Sequence, residues 1–183
     1  MPRIDWGKTM PDIRERVEED RGLIKKIQLH IPGYAGYRRR EDIRLADNIL
    51  RIYIADQVKQ IRSQLEGIRD QMATDGKYQG LQTIGNEIFR LQGIEAKVRH
   101  AEQGYSGFSP AVRVEETELD KLYEYDYAMI QGLDQAAASI PGMGQAGDAN
   151  AFNASVKTFR DSIKAFETAW EQRMPEVTGT KIR

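Results

Sequence analysis

Five stretches of the chain repeat apolar residues at alternating steps of three and four, the spacing that gathers them on one face of a helix. The first starts at about Pro11, passes through Ile13, Val17, Ile24, Ile27 and Ile31, and stops at Pro32-Gly33. The second, about 39 to 73, carries Leu50, Ile54, Val58, Ile61, Leu65, Ile68 and Met72, the seam of a coiled coil. After "TDGK", an Asp-Gly pair suited to a tight reversal, the pattern resumes with Leu81, Ile84, Ile88, Leu91, Ile94 and Val98. The fourth, about 116 to 139, follows an acidic opening and carries Leu119, Leu122, Met129, Leu133 and Ile140, until "PGMGQAGDAN" is expected to break it. The fifth, about 150 to 173, shows Phe152, Val156, Phe159, Ile163, Phe166 and Trp170, with Pro175 as its stop.

No stretch alternates with period two in β-branched residues, so no sheet is expected. The fold class is all-α: a five-helix antiparallel bundle with a coiled-coil helical hairpin at its centre. Short connections predict alternating directions, helix one up, two down, three up, four down and five up. Residues 1 to 175 form a single domain and residues 176 to 183 a frayed tail. At about 1.5 Å per residue the second helix is roughly 50 Å long against about 35 Å for the first and fourth, which predicts a hairpin tip protruding near Asp75-Gly76. Gly80, Gly85 and Gly93 each cost about 1 kcal/mol relative to Ala in a helix, and close packing on the second helix is the simplest reason for them.

Two corners repeat one spelling, "GYAGY" at 33 to 37 and "GYSGF" at 104 to 108. In each, a helix rich in basic residues runs into a glycine that can adopt the left-handed conformation, which makes Gly33, Gly36, Gly104 and Gly107 structural. The aromatics Tyr34, Tyr37, Tyr105 and Phe108 are expected to fold over the bundle end, both corners lying at the same end. Behind the first corner stand Arg38, Arg39 and Arg40. Paired with Glu115, Glu116 and Glu118 they form a structural network; unpaired, they and the corner aromatics offer a site for a phosphate, an anionic lipid headgroup or an acidic partner segment.

With 30% charged and 40% hydrophobic residues the 183-residue chain suits amphipathic helices, and a formal charge of -1 excludes a globally basic nucleic-acid binder. The absence of cysteine excludes thiolate chemistry and fits a reducing cytoplasm, where the absence of a long apolar run or a signal-peptide core also places it.

The residues three before His30 and His100 are Ile27 and Lys97, so the Glu-x-x-His pairs of a di-iron bundle are missing. Both histidines read as helix-end residues favoured by the dipole. "PGMGQAG" lacks the Gly-Lys-Ser/Thr ending that holds a triphosphate, and Tyr123, Tyr125 and Tyr127 are dispersed around a helix rather than stacked for bases. No metal or cofactor is expected. Asp126 stands on the apolar stripe between Leu122 and Met129, so it needs a cation; Arg44, Arg51, Arg90 and Arg99 are the candidates.

"GYSGF" followed by "AVRVEETELDKLYEYDYAMI", with "RREDIRLADNIL" upstream, resembles a family of uncharacterised prokaryotic helical proteins with a Gly-Tyr-x-Gly loop and an L-Y-E-Y/F-D helix. The likeness covers residues 33 to 135. The chain departs from the pattern at Ser109-Pro110, where an aromatic or aliphatic residue and then an Asp are the rule, so any role of that acidic side chain is missing. The resemblance implies no activity; it implies peripheral association with membrane-scaffold proteins of the prohibitin and stomatin type.

The expectation is therefore a non-catalytic interaction or scaffold module with a protein partner, forming a homo-oligomer through Phe152, Phe159, Phe166 and Trp170. Anionic-ligand binding at the Arg-rich corner, and an enzyme using buried carboxylates such as Asp126 and Glu87, are the alternatives.

Overall fold

A computed structural model describes the backbone of residues 13 to 34, 36, 40 to 101 and 116 to 178, and the side-chain surroundings of 22 to 34, 36, 45 to 101 and 120 to 173. It holds five helices: α1 (Ile13–His30), α2 (Arg40–Thr74), α3 (Leu81–Arg99), α4 (Glu116–Gly144) and α5 (Ala149–Thr178). The fold is an all-α bundle, and no strand occurs among the described residues.

The α2 seam residues Leu50, Ile54, Val58, Ile61 and Leu65 are buried against Ile84, Leu91, Ile94 and Val98 of α3. Each such side chain contributes about 1.5–3 kcal/mol by leaving water. The reversal between these helices follows from Gly76, whose φ of 73° lets Lys77 N–H reach the Met72 carbonyl (2.8 Å) and Gly76 N–H the Ala73 carbonyl (3.2 Å). That is the Schellman way of closing a helix. Arg62 to Glu95 and Arg99 to Asp56 then tie the two helices antiparallel along their flank.

The second hairpin, α4 with α5, is the closest helix pair. At Gly132 a Cβ would stand 3.1 Å from the Ser162 carbonyl oxygen, and Ala136 and Ala169 are also buried, so the backbones approach over small residues. Asp148 opens α5 by accepting the Ala151 N–H at 2.8 Å.

The alternation of directions holds within both hairpins, and the hairpins lie side by side so that like-directed helices meet. Ile68 of α2 touches Gly144 of α4. Between α3 and α5 the contacts are ion pairs, Glu87 to Arg160, Arg90 to Glu167 and Lys97 to Glu171, advancing together along both helices. α1 lies against α4 and advances in the same direction, with Lys26 over the Tyr127 ring and His30 Nε2 3.2 Å from Asp134, so the expected alternation of directions does not extend to α1.

Three further expectations are corrected. Neither Pro141 nor Pro175 stops its helix: α4 continues to Gly144, held by buried Ile140 and Met143, and α5 continues to Thr178. With 29 residues α4 spans about 44 Å, and the α4–α5 connection packs beside the α2–α3 turn, so the hairpin tip does not stand clear of the bundle. The glycines also have other grounds than packing on α2. Gly80 precedes α3 at φ 98°, where a Cβ would stand 2.6 Å from Phe152 Cζ; Gly85 has only Arg69 Nε, at 3.8 Å, and Gly93 has nothing within 4 Å.

Candidate functional site

The first Gly-Tyr corner is built by two glycines. α1 gives out at His30, Ile31 N–H still reaches the Ile27 carbonyl (2.9 Å), and Gly33 turns the chain at φ 85°. Gly36 has φ 76°, and a Cβ there would sit 2.8 Å from the Tyr123 hydroxyl, so both conformation and space require glycine. Between them Tyr34 points inward, 1% exposed. Its carbonyl accepts from Gln28 Nε2 (2.9 Å), and its hydroxyl donates to Asp126 Oδ2 at 2.9 Å.

That hydrogen bond is the first link of a buried polar chain. Asp126 on α4, fully buried, accepts from Arg173 Nε of α5 at 2.6 Å. The same guanidinium donates through Nη1 to Asp47 Oδ1 of α2 at 2.7 Å. Asp47 Oδ2 lies 2.9 Å from Arg51 Nε, an ion-pair distance although the N–H is not aimed along it, and Arg51 Nη1 donates to the Ala101 carbonyl just past α3 at 2.7 Å. The chain thus runs from the corner through α4, α5 and α2 to the end of α3. Each carboxylate of the chain meets a guanidinium, which offsets the cost of taking such groups out of water. The cation of Asp126 is Arg173, not Arg51, Arg90 or Arg99: Arg51 serves Asp47, Arg90 serves Glu167 and Arg99 serves Asp56 and Glu95. The side chain of the fourth candidate, Arg44, lies outside the described residues.

Of the corner residues expected to hold a ligand or partner, Tyr34 is the one whose surroundings are described, and it faces the core. Tyr37, Arg38, Arg39, Tyr105 and Phe108, with Gly104 and Gly107, lie outside the described residues; Arg40 opens α2, its side chain outside them, as are those of Glu116 and Glu118. Sequence reasoning missed Arg173 and Asp47 as members of the chain, and named Arg51 for Asp126 where the structure sets it beside Asp47. A signal was present, since Arg173 continues the α5 stripe of Phe159, Ile163, Phe166 and Trp170 and Asp47 precedes Leu50 by three on the α2 stripe.

Glu87 is the other buried carboxylate, 5% exposed. Arg160 Nε donates to its Oε1 at 2.7 Å, while its Oε2 has no hydrogen bond and stands 3.7 Å from Arg90 Nη1. Among the described residues no group of three or more His, Asp or Glu side chains is placed to hold a metal ion, and no helix is long and apolar enough to cross a membrane. Burial, and secondarily the Asp134 carboxylate, push the Tyr53 phenol above its ordinary 10.0.

Among the clefts on the described residues, two are larger than that over Asn48, Arg51, Ile52 and Arg99. One, about 570 Å³, lies between the two hairpin connections over Met72, Met143 and Phe152, with Lys77 and Asp148 at its rim. The other, about 640 Å³, runs between α4 and α5 over Ala128, Ala165 and Ala169. The residues proposed for self-association on α5 are in the core: Phe152, Phe159, Phe166 and Trp170 are all buried, so they offer no surface to a second copy. Compared with protein-family models, curated proteins and solved structures, the chain matches none of them.

Proposed function

We propose that the protein is a non-catalytic interaction module that works through the outer faces of its helices. The observation that carries this reading is where its charge and its apolar surface are placed. Among the described residues the bundle buries Asp47, Arg51, Glu87, Asp126 and Arg173, while Leu29, Phe89, Tyr78, Leu45 and Ile52 are more than half exposed. A single exposed apolar residue is ordinary on any protein surface. Here Leu45 and Ile52 stand two turns apart on one face of α2, with Asn48 between them, and Phe89 is 77% exposed in mid-α3. The carboxylates that an enzyme would need are engaged by arginines, which supports binding over catalysis.

The test is photo-crosslinking in cells, with the reactive side chain placed in turn at Ile52, Tyr78 and Phe89 and, as control, at exposed Lys157 of α5. Products at the three apolar positions and none at Lys157 support the reading. Failure at all three overturns it.

A further inference from the structure

We infer that the outward face of α3 is a contact surface for a second copy of this chain, packed antiparallel, with Phe89 of each copy seated over Gly93 of the other. The inference rests on the interaction reading above and names its partner.

Gln82, Asn86, Phe89, Gln92, Gly93 and Ala96 fall within about a third of the circumference of α3, and all are exposed. None carries a charge, in a chain with 30% charged residues. The outward faces of the other long helices present Lys59, Asp70, Lys121, Glu124, Lys157 and Lys164. Along the two edges of the α3 strip the charges are already spent inside the molecule. Arg90 and Lys97 face Glu167 and Glu171 on the α5 side, and Glu95 and Arg99 pair with Arg62 and Asp56 on the α2 side. An anionic or cationic partner finds little to hold there. An uncharged helix face can cover it without burying a charge, and this chain supplies one.

The shape is complementary to itself. Phe89 projects from the centre of the strip, and one turn on, Gly93 has nothing within 4 Å of where a Cβ would be. Four residues separate knob from socket, so an antiparallel copy centred on position 91 seats both knobs in both sockets at once, as a two-fold interface requires. In that register Lys97 and its symmetry mate are about 18 Å apart along the axis, beyond the screening length of about 10 Å at 0.1 M salt, while Arg90 and its mate lie about 3 Å apart along the axis, each paired with its own Glu167. Nothing inside the monomer explains Gly93, which costs about 1 kcal/mol relative to Ala in mid-helix. A strip about 21 Å long buries less than the roughly 800 Å² per partner of a standard interface, so the dimer is weak and reversible.

Sedimentation equilibrium on the full chain from about 10 µM to 1 mM, a range bracketing weak affinities, reads the result directly. The wild type is expected to pass from monomer to dimer. Phe89→Glu weakens the dimer by more than about tenfold, the loss typical of a central aromatic anchor. Gly93→Leu separates fold from interface, since it raises the unfolding midpoint of the monomer while it weakens the dimer by filling the socket. Tyr78→Ser leaves association unchanged. Because the chain has no cysteine, Gln92→Cys gives a clean second readout: mild oxidation cross-links Gln92→Cys dimers and leaves a Lys157→Cys control monomeric. A wild type that stays monomeric to 1 mM overturns the inference, as does a dimer indifferent to Phe89→Glu; crosslinks to other proteins in cells would then still sustain the broader reading.

Discussion

Arg173 Nε lies 2.6 Å from Asp126 Oδ1, and neither side chain is exposed to water. Removing one member of such a pair leaves the other buried and under-compensated. Asp126→Ala is therefore expected to lower unfolding free energy by about 3–5 kcal/mol, with Arg173 losing one carboxylate partner while Asp47 remains. The double variant Asp126→Leu with Arg173→Met should recover most of that loss, because an apolar pair carries no desolvation penalty. Urea unfolding followed by circular dichroism measures both, and a double variant no better than the single would show that geometry, not charge, holds this part of the core.

Tyr34→Phe removes one hydrogen bond to a charged acceptor and little volume. The expected cost is about 1.5–3 kcal/mol, the range for bonds to charged groups. Since the hydroxyl ties the corner to α4, the same change should also speed amide hydrogen exchange at residues 31 to 34 more than in the α2–α3 seam. Uniform acceleration across the bundle would assign Tyr34 to global stability alone.

The glycines separate into opposite predictions. Gly76→Ala meets open space but keeps a left-handed backbone, a cost of about 1–2 kcal/mol. Gly80→Ala adds a clash with the Phe152 ring to that strain and should cost more than Gly76→Ala. Gly85→Ala, in ordinary helix with only Arg69 Nε at 3.8 Å, should stabilise by about 0.5–1 kcal/mol. Thermal unfolding of the three variants gives their order.

Tyr53 carries the pH prediction. Its phenol is raised above 10.0 chiefly by burial, so the folded state holds the proton more tightly than the unfolded state. Stability from this group is complete below the unfolded value, about pH 10. It is lost as pH rises through the higher folded value. Ultraviolet difference titration should place the Tyr53 transition above the ordinary phenol value of 10.0, and Tyr53→Phe should flatten the alkaline loss. Asp134→Asn should lower the Tyr53 transition only in part, because the carboxylate is the lesser cause.

The apolar stripes were legible in the sequence because each helix buries one face, and Leu50 to Leu65, Ile84 to Val98 and Phe152 to Trp170 behave as their spacing predicts. Helix ends were less legible. Pro141 gives up one backbone bond, but burial of Ile140 and Met143 on either side outweighs that loss, a balance that local turn chemistry does not contain. Asp126 was readable as a buried acid from its neighbours four before and three after. Its cation was not, because choosing Arg173 over Arg51 depends on which helices meet, and that follows from the close α4–α5 approach at Gly132.

The bond from Arg173 to Asp47 spans 126 positions of the sequence. During synthesis the chain emerges from its amino end at about 5–20 residues per second, so Asp47 and Asp126 are both made before the guanidinium that bridges them exists. Until position 173 leaves the ribosome, the guanidinium that links Asp126 to Asp47 is missing, although Arg51 already stands beside Asp47. The α2–α3 hairpin can form early from neighbouring contacts, and α2 meets α4 directly where Ile68 packs on Gly144, yet the polar link between them is completed only by the last turns of α5.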